Sequence, residues 1–330
     1  MIILKKKNRE QISLKDHYIR RNKVLIKRRT GGFGDILMQR MLYEDFKIEF
    51  PELDFNFTCP NPYINFAKDH PFSETIDINK IDETKFGIIY DISTTCRVHE
   101  IKTGSTNNVH RSDIWASYCG TNLKNHNIHL KPKEDAVDFC KNYLKTINPE
   151  NKPVVIITSN SVDDEFGSKK SIKDSVLEQF ILYLKNENYF ICGVHQNEHP
   201  LLKNLEIHQI TNLKYDHWIA LVSTSDYVVS VDTATLHLAG GLKTPLLGVF
   251  NFTKGKVYTK YYPNVEILQG FCPYKSEGCF NYYSCPESQD LPCQNNITSN
   301  QLIKSFENLV KRFPYKSKCK LEIKCETSIS

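Results

Sequence analysis

The chain has 330 residues, 40% hydrophobic and 25% charged, a globular composition with enough apolar material for two cores. A net charge of +5, from 43 Lys and Arg against 38 Asp and Glu, is too small for a dedicated nucleic-acid binder. No apolar run has the length of a transmembrane helix, the start MIILKKKNRE lacks a signal-peptide pattern, and eleven cysteines without such a signal imply a reducing, cytoplasmic setting.

Residues 1–22 form a basic lead in which only Glu10 and Asp16 oppose Lys5, Lys6, Lys7, Arg9, Lys15, Arg20 and Arg21. It reads as a short strand and a solvated arm; its functional alternative is contact with phosphates of an anionic acceptor or a membrane surface. Val24–Lys27 is a predicted strand. It runs through Arg28-Arg29-Thr30-Gly31-Gly32-Phe33-Gly34-Asp35 into a helix expected over 36–50 and closed by Pro51. Such a glycine turn lets a ligand approach the backbone, but its spacing is neither the dinucleotide fingerprint nor the P-loop. Asp35 begins the helix, as a cap or as a general base projecting into a cleft. Predicted strands follow at 55–58, 75–78 and 86–92, with a helix near 63–68. Residues 93–112 read as a polar loop, 111–118 as a helix, 128–130 as a strand-like piece and 134–144 as a helix. This alternation predicts a parallel sheet.

A linker is expected at 147–153, between Pro149 and Pro153. Strands are then predicted at 154–158, 189–194 and 207–210, and helices at 175–186 and 215–222. The stretch 225–250, SDYVVSVDTATLHLAGGLKTPLLGVF, reads as strand, turn, short helix, loop, strand. Asp232-Thr233 suits a helix start and Gly240-Gly241 a helix stop. A helix N-terminus at the carboxyl end of a parallel strand favours a phosphate; the plainer alternative is an ordinary unit of an α/β core. Two successive α/β units predict a cleft at facing strand ends. The expected organisation is a lead at 1–22, domains at 23–150 and 151–313, and a tail at 314–330. Cys272, Cys279, Cys285 and Cys293 lie in one segment, 272–293, without the tight pairing of structural zinc sites. Their thiols are either free or ligands of zinc or iron.

In order and spacing these stretches resemble the ADP-heptose:lipopolysaccharide heptosyltransferase family, glycosyltransferase family 9. VLIKRRTGGFGDILMQRMLYEDFKIEFPELDFNF is similar to its opening strand, glycine turn and helix, and FGIIYDIS to its strand ending in Asp. RSDIWASYCGTNL resembles its Arg-x-Asp-x-Trp helix, and LVSTSDYVVSVDTATLHLAGGLKTPLLGVF its Asp-Thr/Ser-Gly-x-x-His-Leu-Ala signature. CPYKSEGCFNYYSCPESQDLPCQNNIT resembles a Cys-rich segment before the last helix.

The resemblance implies a GT-B fold, two Rossmann-like α/β domains facing across a cleft, acceptor on the first and nucleotide-sugar on the second. It implies inverting transfer of a heptose or other sugar from a nucleotide diphosphate to lipopolysaccharide or another glycan, with no cofactor needed; no Asp-x-Asp motif is present. Carried over residue by residue, Asp35 is the general base, and Gly32, Gly34 and Arg111 contact the acceptor. Thr158, Ser159 and Ser161 form a hydroxyl-rich donor loop, either Lys169 or Lys170 meets the phosphates, and Glu198 lies near the ribose. Asp232, Thr233, Ala234 and His237 match the signature, with Ala234 where the family has glycine. The departures at Ala234 and in the basic lead keep open a DNA acceptor with hydroxymethylated bases, and a binding module without catalysis.

Overall fold

The computed structural model describes residues 21–64, 69–72, 74–161, 170–274, 279, 285 and 292–315. Most of the basic lead, the tail from 316 and Lys169 lie outside them. The chain divides into two units, Met1–Val98 with Arg111–His129, and His99–His110 with Leu130–Ser330.

The first unit is a parallel sheet of β1 (Lys23–Lys27), β2 (Asp54–Cys59), β3 (Glu74–Asp77) and β4 (Ile88–Asp91), in the order β3-β2-β1-β4. The central strand β1 pairs Val24 with Phe55 on one side and with Ile88 on the other. Leu25 and Ile26 are fully buried, which is why this run is continuously apolar. The helix expected over 36–50 is two helices, α1 (Phe33–Arg40) and α2 (Tyr43–Glu49), parted at Met41-Leu42. Ile36, Leu37 and Phe46 bury the inner face of the pair. The polar stretch read as a loop contains α3 (Thr95–Thr103), a helix of low apolar content that sequence periodicity does not reveal. The helix α4 (Arg111–Tyr118) follows and packs Ile114, Trp115 and Ala116 inward.

Residues 128–130 are not a strand. Their carbonyls serve Arg40 instead, a fully buried guanidinium that donates to Ile128 O (2.9 Å) and His129 O (2.8 Å) and pairs with Asp69. A buried cation needs such partners, and the left-handed turns at His126 and His129 point the carbonyls at it.

From Leu130 onward, the first helix of the second unit is α5 (Glu134–Ile147). This helix lies before the expected boundary at 150 but packs on α8 (Tyr215–Thr224), through Ala136, Cys140 and Leu144 and a Phe139–His217 stack at 4.4 Å. Its sheet contains β5 (Val154–Thr158), β6 (Phe190–His195), β7 (His208–Thr211), β8 (Tyr227–Val231), β9 (Leu246–Phe250) and β10 (Val265–Gln269). All pair in parallel, in the order β10-β9-β8-β5-β6-β7. That is the doubly wound Rossmann order, with β5 as the first strand and the reversal between β5 and β8. Here β5, β8 and β9 are buried along their whole length.

Besides α5, the described residues after β5 form the helices α6 (Asp174–Asn186), α7 (Pro200–Asn204), α8, α9 (Ala234–Leu242), α10 (Gly255–Tyr258), α11 (Pro292–Asn295) and α12 (Ser299–Arg312). Thr298 and Gln301 form a capping box at the start of α12, whose fully buried Leu302, Phe306 and Leu309 pack on the core. Burial of Phe306 alone stabilises by about 2–3 kcal/mol. The glycines expected to stop α9 lie inside it, and Lys243 takes the left-handed closing position. A Cβ at Gly240 would lie 2.5 Å from the Tyr262 ring, so this glycine serves close packing.

Candidate active site: two clusters at strand ends

In open α/β sheets ligands bind beyond the carboxyl ends of the strands where the order reverses. In the second unit that point lies between β5 and β8, and the signature residues converge there. Thr158 ends β5; its hydroxyl donates to Val194 O (3.0 Å) and lies 3.0 Å from the Thr235 hydroxyl, from which it can accept. Ser159 is fully buried, and its backbone N–H donates to His195 Nε2 (3.2 Å). Asp232 follows β8, buried, with Lys170 Nζ at 3.0 Å from Oδ2 and His237 Nε2 at 3.9 Å from Oδ1. Thr233 is the N-cap residue of α9, yet its side chain does not cap and meets the Ser230 hydroxyl at 3.0 Å. Thr233 and Ala234 remain half-buried at the mouth of the helix. The first turn of a nine-residue helix supplies N–H donors and a positive dipole end at this spot. An apposed lysine, a buried carboxylate and a helix N-terminus suit a phosphate bearing a hydroxyl-rich group.

His195 lies one residue beyond the strand expected at 189–194 and was not singled out in the sequence. It ends β6, and burial, with nearby His199 as a smaller cause, pushes its pKa down to about 4. Because Nε2 accepts from Ser159, the neutral ring carries its proton on Nδ1. Glu198, by contrast, is a surface group: 63% of its side chain is exposed, and it pairs with Lys203 at 3.0 Å. Ser161 is half-buried just beyond β5.

In the first unit the strand order reverses between β1 and β4, and Asp35 lies on α1, which follows β1. Gly32 is the N-cap of α1, and its N–H donates to Asp35 Oδ2 (3.2 Å), so the carboxylate does cap the helix. It also accepts two cations, Arg28 at 3.2 Å from Oδ2 and Arg111 at 2.6 Å from Oδ1. Arg28 is itself fixed: it lies 4.5 Å from the Trp115 ring centre, and its Nε donates to Thr30 O (2.7 Å). Gly31 takes φ +124°, and a Cβ there would stand 2.9 Å from Asp35 Oδ2. Gly34 lies within the first turn of α1. Tyr63 has its pKa raised by burial first and by the Asp35 charge second, a sign that its phenol lies near the carboxylate. Arg28 and Tyr63 give little signal in sequence, Arg28 because it stands in a run of basic residues.

The four cysteines give a mixed result. The Cys293 thiol is pushed up to about 11, by burial first and then by Cys279, Cys272 and Cys285, so the four share a neighbourhood. Among the described residues, however, no group of three or more His, Cys, Asp or Glu is placed to hold a metal ion. None of the described cysteines is joined in a disulfide.

Residues 183–284 match the model of glycosyltransferase family 9 (heptosyltransferase), a span that contains the whole signature from Asp232 to His237. The chain carries a glycosyltransferase family 9 segment. A comparison with curated protein sequences gives no match. Among solved structures, the chain is similar to the glycosyl transferase family 9 protein of Veillonella parvula DSM 2008. The TM-score is 0.64 at 10% identity, over 89% of this chain and 98% of that one. It is similar to the iron-containing dodecameric glycosyltransferase TibC of enterotoxigenic E. coli H10407, at TM-score 0.65 and 15% identity, over 89% and 77%. It is also similar to the E. coli ADP-heptose LPS heptosyltransferase II, at TM-score 0.54 and 10% identity, over 88% and 99%. At these identities the likeness is one of fold: the expected GT-B architecture is present. Segment and fold together indicate a glycosyltransferase. Among the described residues of this glycosyltransferase, no helix is long and apolar enough to cross a membrane.

Proposed function

We propose that this glycosyltransferase moves a sugar, a heptose or a related one, from a nucleotide-diphosphate donor to a hydroxyl of lipopolysaccharide or another glycan, with inversion. The observation that carries the reading is the cluster Lys170–Asp232–His237 at the N-terminus of α9, beside the β5/β8 reversal. In this reading the diphosphate sits against Lys170 and the backbone of Thr233 and Ala234, and Asp232 holds a sugar hydroxyl. Asp35 removes the proton from the acceptor hydroxyl, and that oxygen attacks the anomeric carbon. The bond from that carbon to the phosphate oxygen breaks, and the diphosphate leaves with the electron pair. Lys170 and the helix dipole offset the charge that builds on it. Arg28 and Arg111 keep the Asp35 carboxylate aimed until the acceptor arrives. No step calls for a cofactor or a metal. The match to the family 9 segment and the likeness to the E. coli ADP-heptose LPS heptosyltransferase II support the choice of donor class.

The test is a screen of ADP-, UDP- and GDP-sugars with purified protein and candidate acceptors, following release of the nucleotide diphosphate. Acceptor-dependent release from one donor class is expected. Release from none, by folded protein with any acceptor, would contradict the reading and favour a module that binds without transferring.

A further inference from the structure

The side chain behind His237 has no assigned role. Tyr262 is buried in the second unit, and its hydroxyl lies 2.8 Å from His237 Nδ1. The two rings meet edge to face, with centres 5.9 Å apart at 71°. His237 is fully enclosed, and its other nitrogen, Nε2, is the one 3.9 Å from Asp232 Oδ1. The fold makes room for this contact, because any side chain at Gly240 would collide with the Tyr262 ring. Two proton arrangements are open to a neutral imidazole here. If Nδ1 carried the proton and donated to the phenol, Nε2 would turn a lone pair towards the Asp232 carboxylate, which is repulsive. If the phenol donates to Nδ1, the proton lies on Nε2 and faces the carboxylate. The phenol itself keeps its proton, since burial and then the Asp232 charge raise its pKa well above the ordinary tyrosine value.

We propose that Tyr262 is a positioning residue which holds the His237 ring in the Nε2–H form and turns that N–H towards Asp232 and the donor. The imidazole is thereby a hydrogen-bond donor of fixed direction, suited to a phosphate or sugar oxygen next to Asp232. Tyr262 acts only through His237 and touches neither sugar nor phosphate. The proposal rests on the reading of α9 as the donor site.

The experiment combines nitrogen NMR of His237 with titration of ADP, UDP and GDP into wild type, Tyr262→Phe, Gly240→Ala and His237→Ala. In wild type the nitrogen shifts are expected to place the proton on Nε2. In Tyr262→Phe, which keeps the ring and the packing, both nitrogen shifts move towards a tautomer mixture, and the Kd for the bound nucleotide rises about tenfold. Gly240→Ala, which displaces the ring and leaves the hydroxyl, moves both readouts in the same direction. Unchanged nitrogen shifts in Tyr262→Phe would overturn the proposal, as would changed shifts with an unchanged Kd while His237→Ala binds weakly. If His237→Ala binds nucleotide as wild type does, the donor-site reading fails, and the shifts alone decide whether Tyr262 orients the ring.

Discussion

Asp35 bears the heaviest chemical assignment, and its surroundings define what substitution should do. Its carboxylate is held by Arg28, Arg111 and the Gly32 N–H. Asp35→Asn keeps the shape and a capping oxygen but removes the basic group. Transfer is expected to fall by about 10²–10⁴-fold while the affinity for nucleotide diphosphate stays unchanged, as steady-state kinetics and titration would read. A loss below threefold would remove Asp35 as the base. Arg40 is a residue of the opposite kind, remote in role and structural in effect. It is fully buried, ties Ile128 O and His129 O to the helical layer, and pairs with Asp69, whose side chain is 36% exposed. Arg40→Met leaves two carbonyls without their donor, and denaturant unfolding should register a loss of about 3 kcal/mol. At this scale the sequence was informative where a residue has a patterned context. Asp232, Thr233 and His237 stand on a strand-turn-helix whose periodicity is visible. Arg28, His195 and Tyr262 have no such pattern; their roles come from contacts 7 to 87 positions away in the chain, which local spacing does not encode.

Among elements, the turn between β1 and α1 is the most constrained. Gly31 has φ +124°, a conformation that side chains rarely adopt, and it sits against the Arg28–Asp35 pair. Gly31→Ala should cost about 1–3 kcal/mol in unfolding free energy and lower transfer by displacing that pair. Wild-type stability together with wild-type activity would contradict this account of the turn. The strand β6 ends in His195, which burial keeps neutral with a folded pKa of about 4 against an ordinary 6.5. The unfolded chain takes up the proton first, so this contribution is fully present above about pH 6.5 and is lost as pH falls towards 4. The expected slope from this one group is about 1.4 kcal/mol per pH unit. His195→Asn should flatten the acid limb of the stability curve by that amount. Strands such as β5 and β8 were legible because unbroken apolar runs belong to buried parallel sheets. The helix α3 was not, since its residues Thr95–Thr103 lack an apolar stripe. The break at Met41-Leu42 was hidden because both residues are apolar and helix-compatible.

For the whole molecule, the order of elements was readable before their contacts were. Alternating strands and helices pointed to two α/β units, and two parallel sheets are present, one with the full Rossmann order and one with four strands. The point of division was less clear, because α5 precedes the Pro149–Pro153 linker yet packs on α8. Helix packing of that sort depends on which faces meet in space, and an amphipathic pattern alone does not name the partner. The central claim is that the start of α9, with Lys170 and Asp232, receives a nucleotide diphosphate. Calorimetric titration of ADP, UDP and GDP into wild type and Lys170→Ala tests it most directly. At least one nucleotide is expected to bind wild type, and to bind folded Lys170→Ala at least tenfold more weakly, the loss of a charge-assisted contact being about 1.5–3 kcal/mol. Equal affinity for the two proteins, or no binding of any of the three to wild type, would contradict it.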